Sequence, residues 1–183
     1  MHEASMDTGH FMMRARSAQN IFHSVVEKSH RFFLTAERIC RIVTRTTAKM
    51  SDLIAYVDGG SHGNPGPSGI GVVIEDASGE KTRIAKWIGH QDNNVAEYVA
   101  LLEALQHALA QKARALRVYS DSEVVVRQMT GEYDCSSPRL AALNFVCRKL
   151  ARALEFSITY LPREQNHEAN RLAHDAVRLR NHS

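Results

Sequence analysis

The stretch Leu53-Ile54-Ala55-Tyr56-Val57-Asp58-Gly59-Gly60-Ser61-His62-Gly63-Asn64-Pro65-Gly66-Pro67-Ser68-Gly69-Ile70-Gly71 decides how the chain is read. Leu53–Asp58 is a short apolar run ending on Asp-Gly-Gly, the pattern of a strand that runs into a turn. Gly59–Pro67 is dense in Gly and Pro and predicts a tight loop. Downstream, Ile70–Glu75 and Thr82–Ile88 read as two further strands, joined by the hairpin connection Asp76-Ala77-Ser78-Gly79. From Asn94 to about Gln111, Ala96, Val99, Ala100, Leu102, Ala104, Leu105 and Ala108 supply the apolar face of a helix. Ala115–Ser120 predicts a buried strand ending at Asp121, and Ser122–Met129 a short helix closed by Thr130-Gly131. Pro138–Leu154 predicts a helix that begins on proline, Phe156–Leu161 a strand and Asn166–Arg178 a last helix.

The order is β-β-β-α-β-α-α-β-α. Three sequential strands with short connections imply an antiparallel meander, and the later β-α-β units imply parallel pairing through helical crossovers. The expected architecture is an α/β fold, a mixed five-stranded sheet flanked by helices.

Composition narrows the class. Of the 183 residues, 44% are hydrophobic and 23% charged, as in an ordinary water-soluble globular protein. No run approaches the roughly 18 apolar residues of a membrane span, and the first twenty residues lack the continuous apolar core of a secretory signal. Cys40, Cys135 and Cys147 form no CxxC pair and are read as reduced thiols of a cytoplasmic protein. Charge is uneven. Residues 1–50 hold 8 Lys and Arg against 4 Asp and Glu, whereas residues 51–183 hold 15 against 16. Phosphate affinity in the second part must therefore come from local patches, bound metal or the basic extension.

Two regions follow: a basic N-terminal extension, 1–50, and a folded domain, 51–183. Within the extension, Phe22, Val25, Val26, Phe33, Ala36, Cys40 and Val43 fit an amphipathic helix. Such a segment could bind a hybrid or membrane surface; Glu27 and Glu37 argue against an organelle presequence. The plainer reading is a poorly ordered leader without catalytic importance, with Met50 as a second candidate start.

The chemistry sits on carboxylates. Asp58 and Asp121 each end a predicted apolar strand, on the sheet edge where ligand sites form in open α/β proteins. Glu97 lies one turn into the helix after the third strand. Clustered carboxylates repel and raise one another's pKa, and hard divalent cations such as Mg²⁺ relieve that cost. Two such ions about 4 Å apart suit in-line phosphodiester cleavage. Each residue also has a plainer reading: Asp58 as a turn former, Glu97 as the capping-box partner of Asn94, Asp121 as a helix N-cap.

The flanks carry a resemblance. Tyr56–Gly71 resembles the opening strand and loop of ribonuclease H type 1; Asn93-Asn94-Val95-Ala96-Glu97-Tyr98 and Tyr119-Ser120-Asp121-Ser122 are similar to its second and third motifs. Gln128–Tyr133 and Leu161–Asn170 resemble the compact branch that lacks a basic protrusion. The likeness spans roughly residues 52–178, with all motifs in order. It implies an endonuclease, and the chain is read as cytoplasmic and monomeric with no membrane partner. Such an enzyme cuts the RNA strand of RNA–DNA hybrids with two Mg²⁺ ions, Mn²⁺ being an alternative. By the same resemblance Asp58 bridges both ions, Glu97 and Asp121 complete the second ion's shell, and Glu97 also accepts from a ribose 2′-OH. Gly59, Gly60 and Ser61 bring backbone close to the RNA strand, and Asn64, Asn93 and Asn94 contact the minor groove.

Three positions depart from the pattern. The family's fourth carboxylate is Asn170 here, whose amide oxygen can ligate Mg²⁺ only without a negative charge. This weakens the ion that activates water and implies, as an alternative, a catalytically weakened hybrid-binding module. Asp175 is about 140° around the helix from Asn170 and does not substitute. His174, at i+4, shares Asn170's face and could approach the site; the plainer reading, as for His62 in the glycine-rich loop, is a solvent-facing histidine. Asp92 stands where the family has a Thr that holds a DNA-strand phosphate. The loop histidine of the longer-loop branch has no counterpart, and Arg163 is read either as a phosphate contact in its place or as a solvent-exposed side chain.

Overall fold

The structure is a computed structural model that describes residues 51–180, with side chains to residue 178. The helix expected in the N-terminal extension lies outside the described residues.

Five strands form one sheet: β1 (Asp52–Ser61), β2 (Gly66–Glu75), β3 (Lys81–Gln91), β4 (Ala115–Ser120) and β5 (Glu155–Tyr160), in the order β3-β2-β1-β4-β5. β1, β2 and β3 form the antiparallel meander, whereas β4 pairs parallel to both β1 and β5. Four helices accompany them among the described residues: α1 (Asn93–Ala110), α2 (Glu123–Thr130), α3 (Pro138–Ala151) and α4 (His167–Arg180). The expected element order and mixed sheet are both present, and helix ends differ from the expected ones by at most three residues.

The largest departure concerns the loop expected over Gly59–Pro67. β1 continues to Ser61 and β2 resumes at Gly66, with Gly59, Gly60 and Ser61 opposite Ile70, Gly69 and Ser68. Only four residues turn, closed by the His62 N–H donating to Pro67 O at 2.8 Å. The glycines serve close packing inside the sheet rather than loop freedom. A Cβ on Gly59 would stand 2.1 Å from the Ala96 carbonyl carbon of α1. On the other face, a Cβ on Gly71 would stand 1.9 Å from Ala169 O of α4. Helices therefore sit directly on backbone at both places. β3 also runs longer than expected, past a bulge at Ile88 that Gly89 accommodates with φ +86°.

Period-two alternation distributes the sheet's side chains between two layers. Ala55, Val57, Ile70, Val72, Ile74, Leu116 and Val118 pack with Val95, Tyr98, Leu101 and Leu105 of α1, and with α2 and α3, in the main core. A buried polar node joins those three helices. The Tyr98 hydroxyl donates to Gln128 Oε1 at 2.9 Å and accepts from Asn144 Nδ2 at 3.0 Å. The opposite face is covered by α4, whose Ala169, Ala173, Ala176 and Val177 are buried. Small residues on α4 and glycines on β2 together allow this approach.

Gly71→Ala is expected to cost about 3 kcal/mol in urea denaturation, because backbone must move to admit the methyl group. Gly60→Ala, where nothing lies within 4 Å of the added Cβ, should be near neutral. Equal losses for the two variants would contradict this packing account.

Candidate active site

The parallel ladder between β1 and β4 ends at Val57↔Ser120. The next residues are Asp58, still within β1, and Asp121, just past the end of β4, and adjacent strands lie about 4.8 Å apart. Glu97 arrives from the first turns of α1, which the missing Cβ of Gly59 lets settle against β1. The Gly59 N–H then donates to Glu97 Oε2 at 3.1 Å. One carboxylate oxygen from each of Asp58, Glu97 and Asp121 falls within 4.8 Å of the other two. The plainer readings do not hold. Ser122, not Asp121, caps α2, accepting from the Val125 N–H. Glu97 bonds Gly59 rather than the start of its own helix, and Asp58 lies within β1.

Asp58 and Glu97 are 4% and 7% exposed, so their charges are largely removed from water. Burial, the negative charge of Asp121 and a hydrogen bond with it push the Asp58 carboxyl up to about 7; Arg163 and Asn170 oppose this. Glu97 is held well above the ordinary carboxylate range by burial first, then by Asp58 and Asp121. Close-set negative oxygens with this much proton affinity suit a hard divalent cation, which supplies the missing positive charge.

Other expected residues gather around this cluster. One open cleft is lined by Asp58, Gly59, Gly60, Ser61, Asn93, Glu97, Asp121 and Arg163. Asn64 joins it indirectly, its Oδ1 accepting from the Asn93 N–H at 3.1 Å. Asn94 is half-buried in the first turn of α1 and does not line the cleft. Asn170 sits between two partners. Its amide is hydrogen-bonded to Asp58, and with Oδ1 turned toward Arg163 it accepts from Nη2 at 2.8 Å and Nε at 3.1 Å. Asp92 occupies the N-cap position of α1 without a side-chain capping bond.

Sequence reasoning missed Asn166. It is 1% exposed, and its Nδ2 donates at 2.9 Å to both Val57 O and Asp121 Oδ1. One amide thereby fixes a cluster carboxylate against the β1 backbone. Its position just before α4 was visible, but its burial under the sheet edge depends on tertiary packing.

The raised Asp58 pKa has a consequence for stability without metal. Between the unfolded value, 3.8, and about 7, the folded protein holds a proton that the unfolded chain has released. This contribution is therefore present below about pH 4 and is lost as pH rises toward 7. In chelator, Asp58→Asn is expected to raise Tm by several degrees at pH 8, with little effect at pH 4.5, and Mg²⁺ should stabilise the parent but not the variant. A lower Tm for the variant at pH 8 would contradict the reading of Asp58 as a strained buried carboxylate.

A family model described as reverse transcriptase-like matches residues 56–176. The chain is 38% identical over 127 residues to ribonuclease HI of Halobacterium salinarum, covering 67% of this chain and 63% of that protein. It is 38% identical over 128 residues to the bifunctional protein Rv2228c of Mycobacterium tuberculosis, covering 68% of this chain and 35% of that protein. The chain thus spans between about one third and two thirds of these relatives' lengths. Its fold also superposes on LC11-RNase H1, solved in complex with an RNA/DNA hybrid, with TM-score 0.64 and 36% identity over 69% of this chain and 96% of that one. Sequence motifs, sheet topology and these likenesses agree: the chain belongs to the reverse transcriptase-like family and, within it, to the ribonuclease H type 1 proteins.

Proposed function

We propose that residues 51–183 form a divalent-metal-dependent endoribonuclease that hydrolyses the RNA strand of RNA–DNA hybrids. The observation that carries this reading is the trio of carboxylates, two of them buried, within 4.8 Å at the end of the parallel ladder. The likeness to a protein solved with an RNA/DNA hybrid supports the substrate class.

Asp58, Glu97 and Asp121 would hold the metal, with Asn170 as the fourth ligand. Two Mg²⁺ ions, when bound, supply Lewis-acid stabilisation of the attacking and leaving oxygens of the phosphodiester. The chain's own residues do the rest. Asn166 keeps Asp121 aimed at the cleft, and the Gly59 N–H does the same for Glu97. Gly60, Ser61 and Asn93 line the wall along which the RNA strand would run, and Asn64 braces it from the β1–β2 turn. Selection of RNA over DNA would rest on the ribose 2′-OH, for which Glu97 is the candidate acceptor. Arg163, exposed at the cleft, offers a guanidinium to a phosphate.

Asn170 supports a second reading, a weakened hybrid-binding module. Its only ligand atom is a neutral oxygen, and that oxygen is held by the fork of Arg163. Ligation would require the amide to leave Arg163. An aspartate at this position could face a cation and keep Arg163 with its second oxygen.

On hybrid, duplex RNA and duplex DNA at one salt concentration, the parent chain with Mg²⁺, then Mn²⁺, is expected to cut only the hybrid's RNA strand. Asn170→Asp should raise the rate at least about tenfold with little change in hybrid affinity, the signature of transition-state rather than ground-state stabilisation. Hybrid binding without cleavage by the parent, rescued by Asn170→Asp, would favour the binding module. Cleavage of duplex DNA, or no hybrid binding by either chain, would overturn the proposal.

A further inference from the structure

His62 lies in the turn between β1 and β2, and His174 lies in the middle of α4, 112 residues away in sequence. The fold brings their rings together at a tilt. Nε2 of His62 stands 3.4 Å from Nδ1 of His174, with ring centroids 5.6 Å apart and planes inclined at 57°. That separation is longer than a well-formed hydrogen bond to nitrogen, which lies near about 3.0 Å. It matches the edge of a coordination tetrahedron. Two imidazole nitrogens each about 2.05 Å from a zinc ion sit about 3.3–3.4 Å apart.

Both ligands stand on fixed backbone. The His62 N–H closes its turn on Pro67 O. His174 follows Ala173, which is buried on α4 where that helix meets Gly69 and Gly71. Both rings are exposed, and His174 also lines the cleft that contains the carboxylates.

We propose that His62 and His174 form a two-imidazole site for a borderline divalent cation, Zn²⁺ or Ni²⁺, at the rim of the carboxylate cleft. The two sites divide by ligand chemistry: imidazole nitrogen favours zinc, nickel and copper, whereas the carboxylate oxygens favour Mg²⁺. Among the described residues only Asp58, Glu97 and Asp121 bring three such ligand atoms within 4.8 Å. An ion on the histidines therefore keeps open positions for water or for a phosphate oxygen entering the cleft. This site rests on the geometry of the two rings and not on the nuclease reading.

The test is a Zn²⁺ titration of the full chain in saturating Mg²⁺, followed through the imidazole nitrogen resonances of His62 and His174. The two rings are expected to shift together at one Zn²⁺ concentration. His62→Ala and His174→Ala should each weaken zinc uptake by the remaining ring at least about tenfold, and His174→Gln should behave as the alanine variant does. Because both side chains are exposed, these changes leave the core untouched. Independent titration of the rings, no shift in either, or displacement of Zn²⁺ by Mg²⁺ would overturn the site.

Discussion

The rest of the site depends on holding negatively charged oxygens together where water cannot screen them. Three carboxylates share a space of a few ångströms, two of them almost wholly buried. Left alone they repel, and Asp58 and Glu97 take up protons more readily than free side chains do. The fold withstands this because the groups are borne by its stiffest parts: two neighbouring strands at the end of a parallel ladder and the start of a helix lying on glycine backbone. Were a cation to enter, that cost would become affinity, since binding would relieve the electrostatic penalty of the close-set carboxylates.

Much of this was legible in the chain. Strand and helix periodicities gave the correct element order, and Asp58, Glu97 and Asp121 stood out because each sits beside a structural boundary. Their flanks carried the family likeness. The extent of the glycine-rich segment was misread for a physical reason. Gly and Pro signal turns locally, but Gly59 and Gly71 are required by helices that arrive from distant sequence. Asn166 escaped notice because its value lies in burial and in two acceptors on other elements. The apposition of His62 and His174 is of the same kind. Both were read correctly as exposed, yet neither ring's sequence context shows that the other faces it.

Asn170 connects these themes. By the sequence resemblance it takes the place of a family carboxylate, and the structure gives its amide two different neighbours, Asp58 on one side and Arg163 on the other. A carboxylate there would add a fourth negative charge to the cluster and a salt bridge to Arg163. The amide reduces the repulsion and also the pull on a cation. Stability without metal and strength of metal binding therefore move in opposite directions at this position.

Diffraction from crystals soaked in Mn²⁺, read through the anomalous signal of the metal, tests the central claim most directly. The account predicts anomalous density among Asp58, Glu97 and Asp121, with at least one ion bonded to an Asp58 oxygen. Mn²⁺ found elsewhere on the protein, with these three side chains left without an ion at saturating concentration, would contradict it.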